Sequence, residues 1–381
     1  MDRILGQSRA IDLLERQLST GRQHHACIFH GPVGVGKFTT ALAYARVLLC
    51  HDRVTDLTGR VTACGGCDSC RLLKNLTAEV DGTGDGDTQG LTTSHPDLHV
   101  VRKELARYSE DAATRSRKLT RIPVEVLRTA LIEPAGLAAK LGHGKVFIVD
   151  EAELLNQAGQ NALLKTLEEP PAGTTLILVT ASEDRLLPTI RSRCMRIAFA
   201  PLPDEAVEQW CDKHAPGLTA VQRKDLTAFA AGSLGRAQLI ERFGLLSWCE
   251  SVPPALDRAA EGRPVPGLGQ QIHSFIDTFA ADWVKAHDNA SKEAANKLGA
   301  DLMWSLIGTH ARRRIAELTD RCNPADPQAA EDTLTPWLNV IDATEQAQLL
   351  LASNVNLSIT CDHLAMSMMR ALAGVPKPAL I

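Results

Sequence analysis

Hydrophobic and polar positions follow two rhythms along the first 200 residues. A short apolar run at 26–30 and others at 145–149 and 174–180 predict strands, the last two buried on both faces as parallel strands are, while 95–101 reads as a turn into a strand and 196–199 as a last strand. Between them apolar residues recur at the helical period. Ala10, Leu13, Leu14 and Leu18 mark a first helix ending near Gly21, and further helices are expected over 39–49, from 122 towards 139, and over 156–167. Glu168-Glu169-Pro170-Pro171 stops the last of these. Strands alternating with helices predict a parallel, three-layered α/β sheet.

After Pro201 the strand rhythm disappears. Residues 204–214, 220–231 and 234–243 predict three short helices, Pro253-Pro254 and the Gly/Pro-rich stretch 262–267 read as a linker, and everything from Gln270 onward is helical with a break near 324–327. The expected organisation is a nucleotide-type α/β domain over 1–200 with a cysteine module at about 50–75, a small helical domain over 201–250, and an all-α domain over 268–381.

Composition narrows the classes. A chain of 381 residues has room for a sizeable core, and its net charge of -4 supplies no basic field, so independent tight binding to nucleic acid is not expected. Two Tyr, five Trp and eight Phe give little material for a base-stacking surface. The start, Met1-Asp2-Arg3, has no apolar signal core and no apolar run is long enough to span a bilayer, which predicts a cytoplasmic chain with no membrane partner. Ten cysteines in such a chain point to metal binding or buried thiols before disulfides.

The candidate chemistry centres on Gly31-Pro32-Val33-Gly34-Val35-Gly36-Lys37, which joins the first strand to a helix. Glycines at 31, 34 and 36 let backbone N–H groups converge on phosphate oxygens, the helix start adds a positive dipole end, and Lys37 adds a point charge. A Ser or Thr hydroxyl is required next to hold Mg²⁺. Phe38 stands there instead, and Thr39 is turned about 100° around the helix. The loop is therefore equipped to hold the phosphates of ATP or ADP and poorly equipped to hydrolyse them. Asp150-Glu151 ends a buried strand where Mg²⁺ and an attacking water would be handled; the alternative for Asp150 is a helix cap. Thr180, at the end of another strand, is placed to sense a γ-phosphate. Arg236, after Gly232-Ser233-Leu234-Gly235, is either a second phosphate sensor or a surface arginine.

Cys64, Cys67 and Cys70 fall at two-residue intervals, and Cys50 lies upstream at a helix end. That set suits a closed tetrahedral zinc site with a structural role, with free thiols or an iron–sulfur cluster as the alternatives. His95 and His99 are then expected to pack rather than ligate. The Gly/Asp/Thr-rich stretch 79–93 reads as a flexible acidic insertion, 107–118 as solvated, and Arg312-Arg313-Arg314 as a solvated helix face or subunit contact.

In this order the motifs resemble those of AAA+ clamp-loader subunits, the bacterial DNA polymerase III delta-prime and gamma/tau group. Ile4-Leu5-Gly6-Gln7, the phosphate loop, the four-cysteine knob, Val149-Asp150-Glu151-Ala152, residues 164–171, Leu187-Pro188-Thr189-Ile190-Arg191-Ser192-Arg193-Cys194 and residues 232–236 carry the resemblance over nearly the whole chain. It implies that Arg193 is an arginine finger reaching a neighbouring subunit's ATP site, with an interface ion pair as the plainer alternative. It also implies gamma/tau and delta subunits and a sliding clamp as partners, and primed DNA gripped through the assembled ring. Lys37-Phe38, His95-Pro96-Asp97 and a single helical terminal domain favour a delta-prime-like partner over a gamma/tau-type ATPase. A zinc-containing nucleic-acid-binding module and a different AAA+ remodeller are the remaining alternatives.

Overall fold

The computed structural model describes residues 4–57, 59–74, 95–108, 121–287, 290–322 and 327–374. The stretch 79–93, expected to be a flexible acidic insertion, and most of 107–118, expected to be solvated, lie outside the described residues.

The strands are β1 (Ala26–His30), β2 (Val54–Thr55), β3 (Val61–Thr62), β4 (Leu98–Val101), β5 (Lys145–Val149), β6 (Thr174–Thr180) and β7 (Met195–Ala198). Five of them form one parallel sheet in the order β4-β5-β6-β1-β7. β1 pairs with β6 from Ala26↔Leu176 to His30↔Thr180, so the chain reverses its strand order around β1.

Alternation along each strand builds two cores. Cys27, Phe29, Val146, Ile148, Ile177 and Val179 face α1 (Ser8–Thr20) and α2 (Lys37–Leu48), packing with Leu14, Leu18, Ala41 and Tyr44. Ala26, Ile28, Phe147, Val149, Leu176 and Leu178 face the other way, against Val126, Leu127, Leu131, Leu163, Leu167 and Ile190. Every residue of β5 is buried, which is why its apolar run shows no alternation in sequence. Lys145 is the exception in chemistry: its ammonium donates to the carbonyls of Pro134 and Ala135 at 3.0 and 2.5 Å and to that of Leu137, closing the end of the preceding helical segment.

Two segments differ from the sequence expectation. The helix starting at Val124 passes through a π turn at Arg128–Ile132 and ends after Ala135, short of residue 139; its last carbonyls are taken up by the Lys145 ammonium instead of a further turn. Pro253 and Pro254, which read as a linker, lie inside the helix Leu246–Ala260. Each removes a backbone donor, but Trp248, Val252, Ala255, Leu256 and Ala259 are buried along the same helix, and that burial outweighs the two lost bonds.

The described chain divides into two compact units: residues up to Ala206 with Ser233–Gly235, and Val207–Gly232 with the chain from Arg236 onward. The second unit is all helical, takes in most of both segments read as separate helical domains, and ends in the helices Leu268–Ala286, Lys292–Thr319, Pro327–Ala352 and Leu357–Leu372. Within it an aromatic cluster links Phe229, Phe243, Trp248, Phe279 and Trp283, with ring centroids 5.2–6.2 Å apart.

Candidate functional site

The phosphate-type loop leaves β1 and enters α2 at the carboxyl edge of the sheet, where the strand order reverses; this is the usual ligand crevice of open α/β sheets. Two of its glycines are dictated by close approach. A Cβ on Gly31 (φ +142°) would sit 2.1 Å from the Phe199 carbonyl oxygen, and one on Gly34 (φ +76°) would sit 2.3 Å from the Ser233 hydroxyl. Gly36 (φ +94°) precedes the first helical residue, Lys37. The loop is also held from outside. Gln7, a residue of the opening motif without an assigned role, donates to the Val35 and Ala200 carbonyls at 3.1 and 2.7 Å. Ser233 Oγ donates to the Val33 carbonyl at 3.0 Å, and the Gly235 N–H to Gly34 at 3.0 Å.

Lys37 is buried and turned back on its own loop, its Nζ donating to the Gly31 and Pro32 carbonyls at 2.6 and 2.5 Å. Burial pushes its ammonium down to about 8, against the pull of Glu153 and Asp150. Thr39 is exposed, and the Thr40 hydroxyl is spent on the Gly36 carbonyl at 2.8 Å, so neither supplies the missing hydroxyl at position 38. Phe38 instead carries a cation: the Arg102 guanidinium carbon lies 4.2 Å from the ring centroid. The same guanidinium pairs with Asp150 at 2.8 Å. Burial still pushes the Asp150 carboxyl upward, with Arg102 opposing it.

Glu151 sits in the left-handed region (φ 52°, ψ 47°) and is paired with Lys103 at 2.7 Å. The helix Gln157–Glu168 is capped by Asn156, which accepts from the Gly159 N–H at 2.8 Å, so Asp150 is not its cap. Thr180 is buried at the end of β6 and accepts from the Ser182 N–H at 3.1 Å. Loop, Asp150, Glu151 and Thr180 thus converge at one sheet edge. Arg236 belongs to the helical unit, where its Nη1 donates to Ser305 Oγ at 2.6 Å; burial pushes its guanidinium downward, with the charge of Asp301 opposing.

Nothing in the sequence singles out Arg102, Lys103 or Glu153. They sit in charged stretches that look solvated, and nothing in spacing announces that Arg102 meets Phe38. The same holds for Gln160. Buried, it donates to the Leu155 and Arg185 carbonyls and accepts from the Leu187 N–H at 2.7 Å, fixing the approach to the helix Pro188–Arg191. Just beyond that helix Cys194 is buried in the core while Arg193 stays at the surface, pairing with Glu168 at 2.7 Å and donating to the Thr189 carbonyl at 2.9 Å.

The four module cysteines converge with all sulfurs within 4.8 Å of one another. Sulfur pairs at 3.6, 3.9 and 4.0 Å match the edge of about 3.8 Å that a tetrahedron with Zn–S bonds of about 2.3 Å requires. Backbone N–H groups of Cys64, Cys67 and Cys70 point at the sulfurs of Cys50, Cys64 and Cys67 at 3.2–3.5 Å, as expected around thiolates. The donor set fits a metal ion with no open position. His95 and His99 lie apart from it. His95 Nδ1 accepts from the Asp97 N–H at 3.1 Å, so its Nε2 carries the proton donated to Ser69 Oγ at 2.9 Å in α3 (Asp68–Leu72). The Asp97 carboxylate accepts from Lys140 and Leu141, and His99 stacks on Phe147. The remaining six cysteines are dispersed: Cys27, Cys194, Cys211 and Cys361 are buried, Cys249 and Cys322 half-buried.

Residues 6–203 match the family model described as DNA polymerase III, delta subunit. DNA polymerase III subunit delta' of Escherichia coli is 32% identical over 328 residues, covering 78% of this chain and 85% of that protein. The corresponding subunit of Pseudomonas aeruginosa is 34% identical over 231 residues, spanning 60% of each chain. DNA polymerase III subunit tau of Salmonella typhimurium is 34% identical over 204 residues, 54% of this chain and 26% of that one. With the glycine-rich loop, the cysteine module and Ser192-Arg193-Cys194 set on a five-stranded parallel sheet, these matches make the chain a member of the DNA polymerase III delta-prime family.

Proposed function

We propose that this chain is the delta-prime subunit of a clamp loader and acts there as a stator, lending Arg193 to a neighbour's ATP site without turning over ATP itself. One observation above all supports the second half: the Arg102 guanidinium lies between the Phe38 ring and the Asp150 carboxylate. A hydrolytic P-loop needs an oxygen-lined Mg²⁺ seat and an acid to handle the attacking water. Here the seat is a ring and a guanidinium, and Glu151 is neutralised by Lys103. Lys37 and the glycines are retained, so ATP or ADP is held without turnover.

The partners follow from the family. Gamma/tau subunits supply the ATP sites, the terminal helices join the ring, and delta and the sliding clamp complete the assembly on primed DNA. Zn²⁺ in the Cys50, Cys64, Cys67 and Cys70 set holds the module together. Arg193 suits a role in trans because its guanidinium is at the surface while Cys194 anchors the segment in the core. A guanidinium delivered there neutralises charge developing on the γ-phosphoryl oxygens.

The purified chain mixed with ATP and Mg²⁺ should release no phosphate above a Lys37→Ala control. Phosphate release that depends on Lys37 would make the chain a gamma/tau-type motor and overturn the stator assignment.

A further inference from the structure

We propose that Arg102 is the fixed cation of the nucleotide site, its guanidinium replacing the divalent ion, so that the loop takes a nucleoside di- or triphosphate without Mg²⁺. This rests on the proposal above that the loop holds nucleotide.

Three features converge on it. Asp150, at the end of β5, is the acid that would hold a metal, and its carboxylate is engaged by Arg102 at 2.8 Å. The side chains are only 12% and 18% exposed. The residue that would give the second metal ligand is Phe38, whose ring is the platform for the same guanidinium at 4.2 Å. Arg102 itself follows β4, and the Asp150 N–H donates to the Val101 carbonyl at 3.0 Å, so hydrogen bonding between adjacent strand ends sets the spacing of the pair. Mg²⁺ demands near-octahedral oxygen ligands at about 2.0–2.1 Å and gives up its waters reluctantly. A phenyl ring supplies none, and an ion cannot share the carboxylate edge that the guanidinium occupies.

What the ion would contribute, the arginine contributes in part. It is permanently charged, and its planar N–H array matches phosphate oxygens. With Lys37 it places two cations beside the loop. A guanidinium, unlike Mg²⁺, carries no activated water, so the same substitution that permits holding a phosphate removes the means of hydrolysing it.

The test is equilibrium binding of ATP and ADP to the full chain, by calorimetry, in Mg²⁺ and in excess EDTA. Wild type should bind with affinities agreeing within about two-fold in the two buffers, and Arg102→Met should weaken binding about ten-fold or more in both, the loss expected for a charge-assisted pair. The double variant Phe38→Thr/Arg102→Met should bind better in Mg²⁺ than in EDTA. Should Arg102→Met fail to fold, the two-buffer comparison on wild type decides alone. A wild-type affinity that falls about ten-fold in EDTA overturns the proposal. So does Arg102→Met binding as well as or better than wild type, which would make the guanidinium a plug, and so does a wild type that binds neither nucleotide. None of these readouts involves Arg193 or phosphate release, so this proposal and the stator assignment fail in separate measurements.

Discussion

Replacing Arg193 with alanine is expected to lower ATP turnover at the one site it serves by about a thousand-fold, at the lower end of what an arginine finger supplies, while the loader still assembles. The size follows from chemistry that no other group replaces: a delocalised charge with fork geometry, delivered where negative charge accumulates. Intact assembly follows from the structure. In the chain by itself Arg193 makes a surface pair with Glu168, 36% and 50% exposed respectively, and such pairs contribute about 0–1 kcal/mol. The segment is held instead by buried Cys194, Ile190 and Gln160, which the substitution leaves in place. Arg193→Lys keeps the charge but not the fork, and should fall between the two. The measurement is single-turnover phosphate release by a loader reconstituted from this chain, cognate gamma/tau and delta, clamp and primed DNA. Assembly at wild-type yield with unchanged release would reduce Arg193 to an interface ion pair.

The second large effect concerns the cysteine module. Stripping its metal, or replacing Cys70 with serine, is expected to unfold the module while the sheet survives, abolishing local folding free energy on the order of 10 kcal/mol. The module has little else to hold it. β2 and β3 are two residues each, Val54 is exposed, and among its described residues only Cys50, Ser69, Cys70 and Leu73 are buried. The sheet, by contrast, has a core on each face. Elemental analysis should find one zinc per wild-type chain and none in Cys70→Ser. Hydrogen exchange at the amides of Asp68–Leu72 should accelerate to near the unstructured rate on chelation. Protection that persists without metal would mean that packing, through contacts such as Ser69 with His95, suffices.

How much of this was legible in sequence depended on whether a contact was local. β5 and β6 are legible to the residue because a strand buried on both faces writes an unbroken apolar run. The loop, the cysteine set and the exchange of hydroxyl for ring at Phe38 were legible because each is a matter of spacing within a few residues. Arg102 was not, since it meets a partner 64 positions earlier and another 48 later, brought together only by the pairing of β4 with β5. Lys145 hid inside an apolar strand for the converse reason: three backbone carbonyls from a separate segment make its burial tolerable. Pro253-Pro254 misled because local chain chemistry favours a break and only tertiary burial overrides it.

The scattered cysteines make the unmodified chain a ready substrate for single-dye spectroscopy. Maleimides attack thiolates, and burial pushes the thiols of Cys27, Cys194, Cys249 and Cys361 up to about 12, with Cys211 raised by the same cause. A metal bound by Cys50, Cys64, Cys67 and Cys70 shields those four. Cys322 remains, half-buried just past the helix Lys292–Thr319. One fluorophore there would report from the helical unit on the assembly proposed above, with no cysteine engineered in or out.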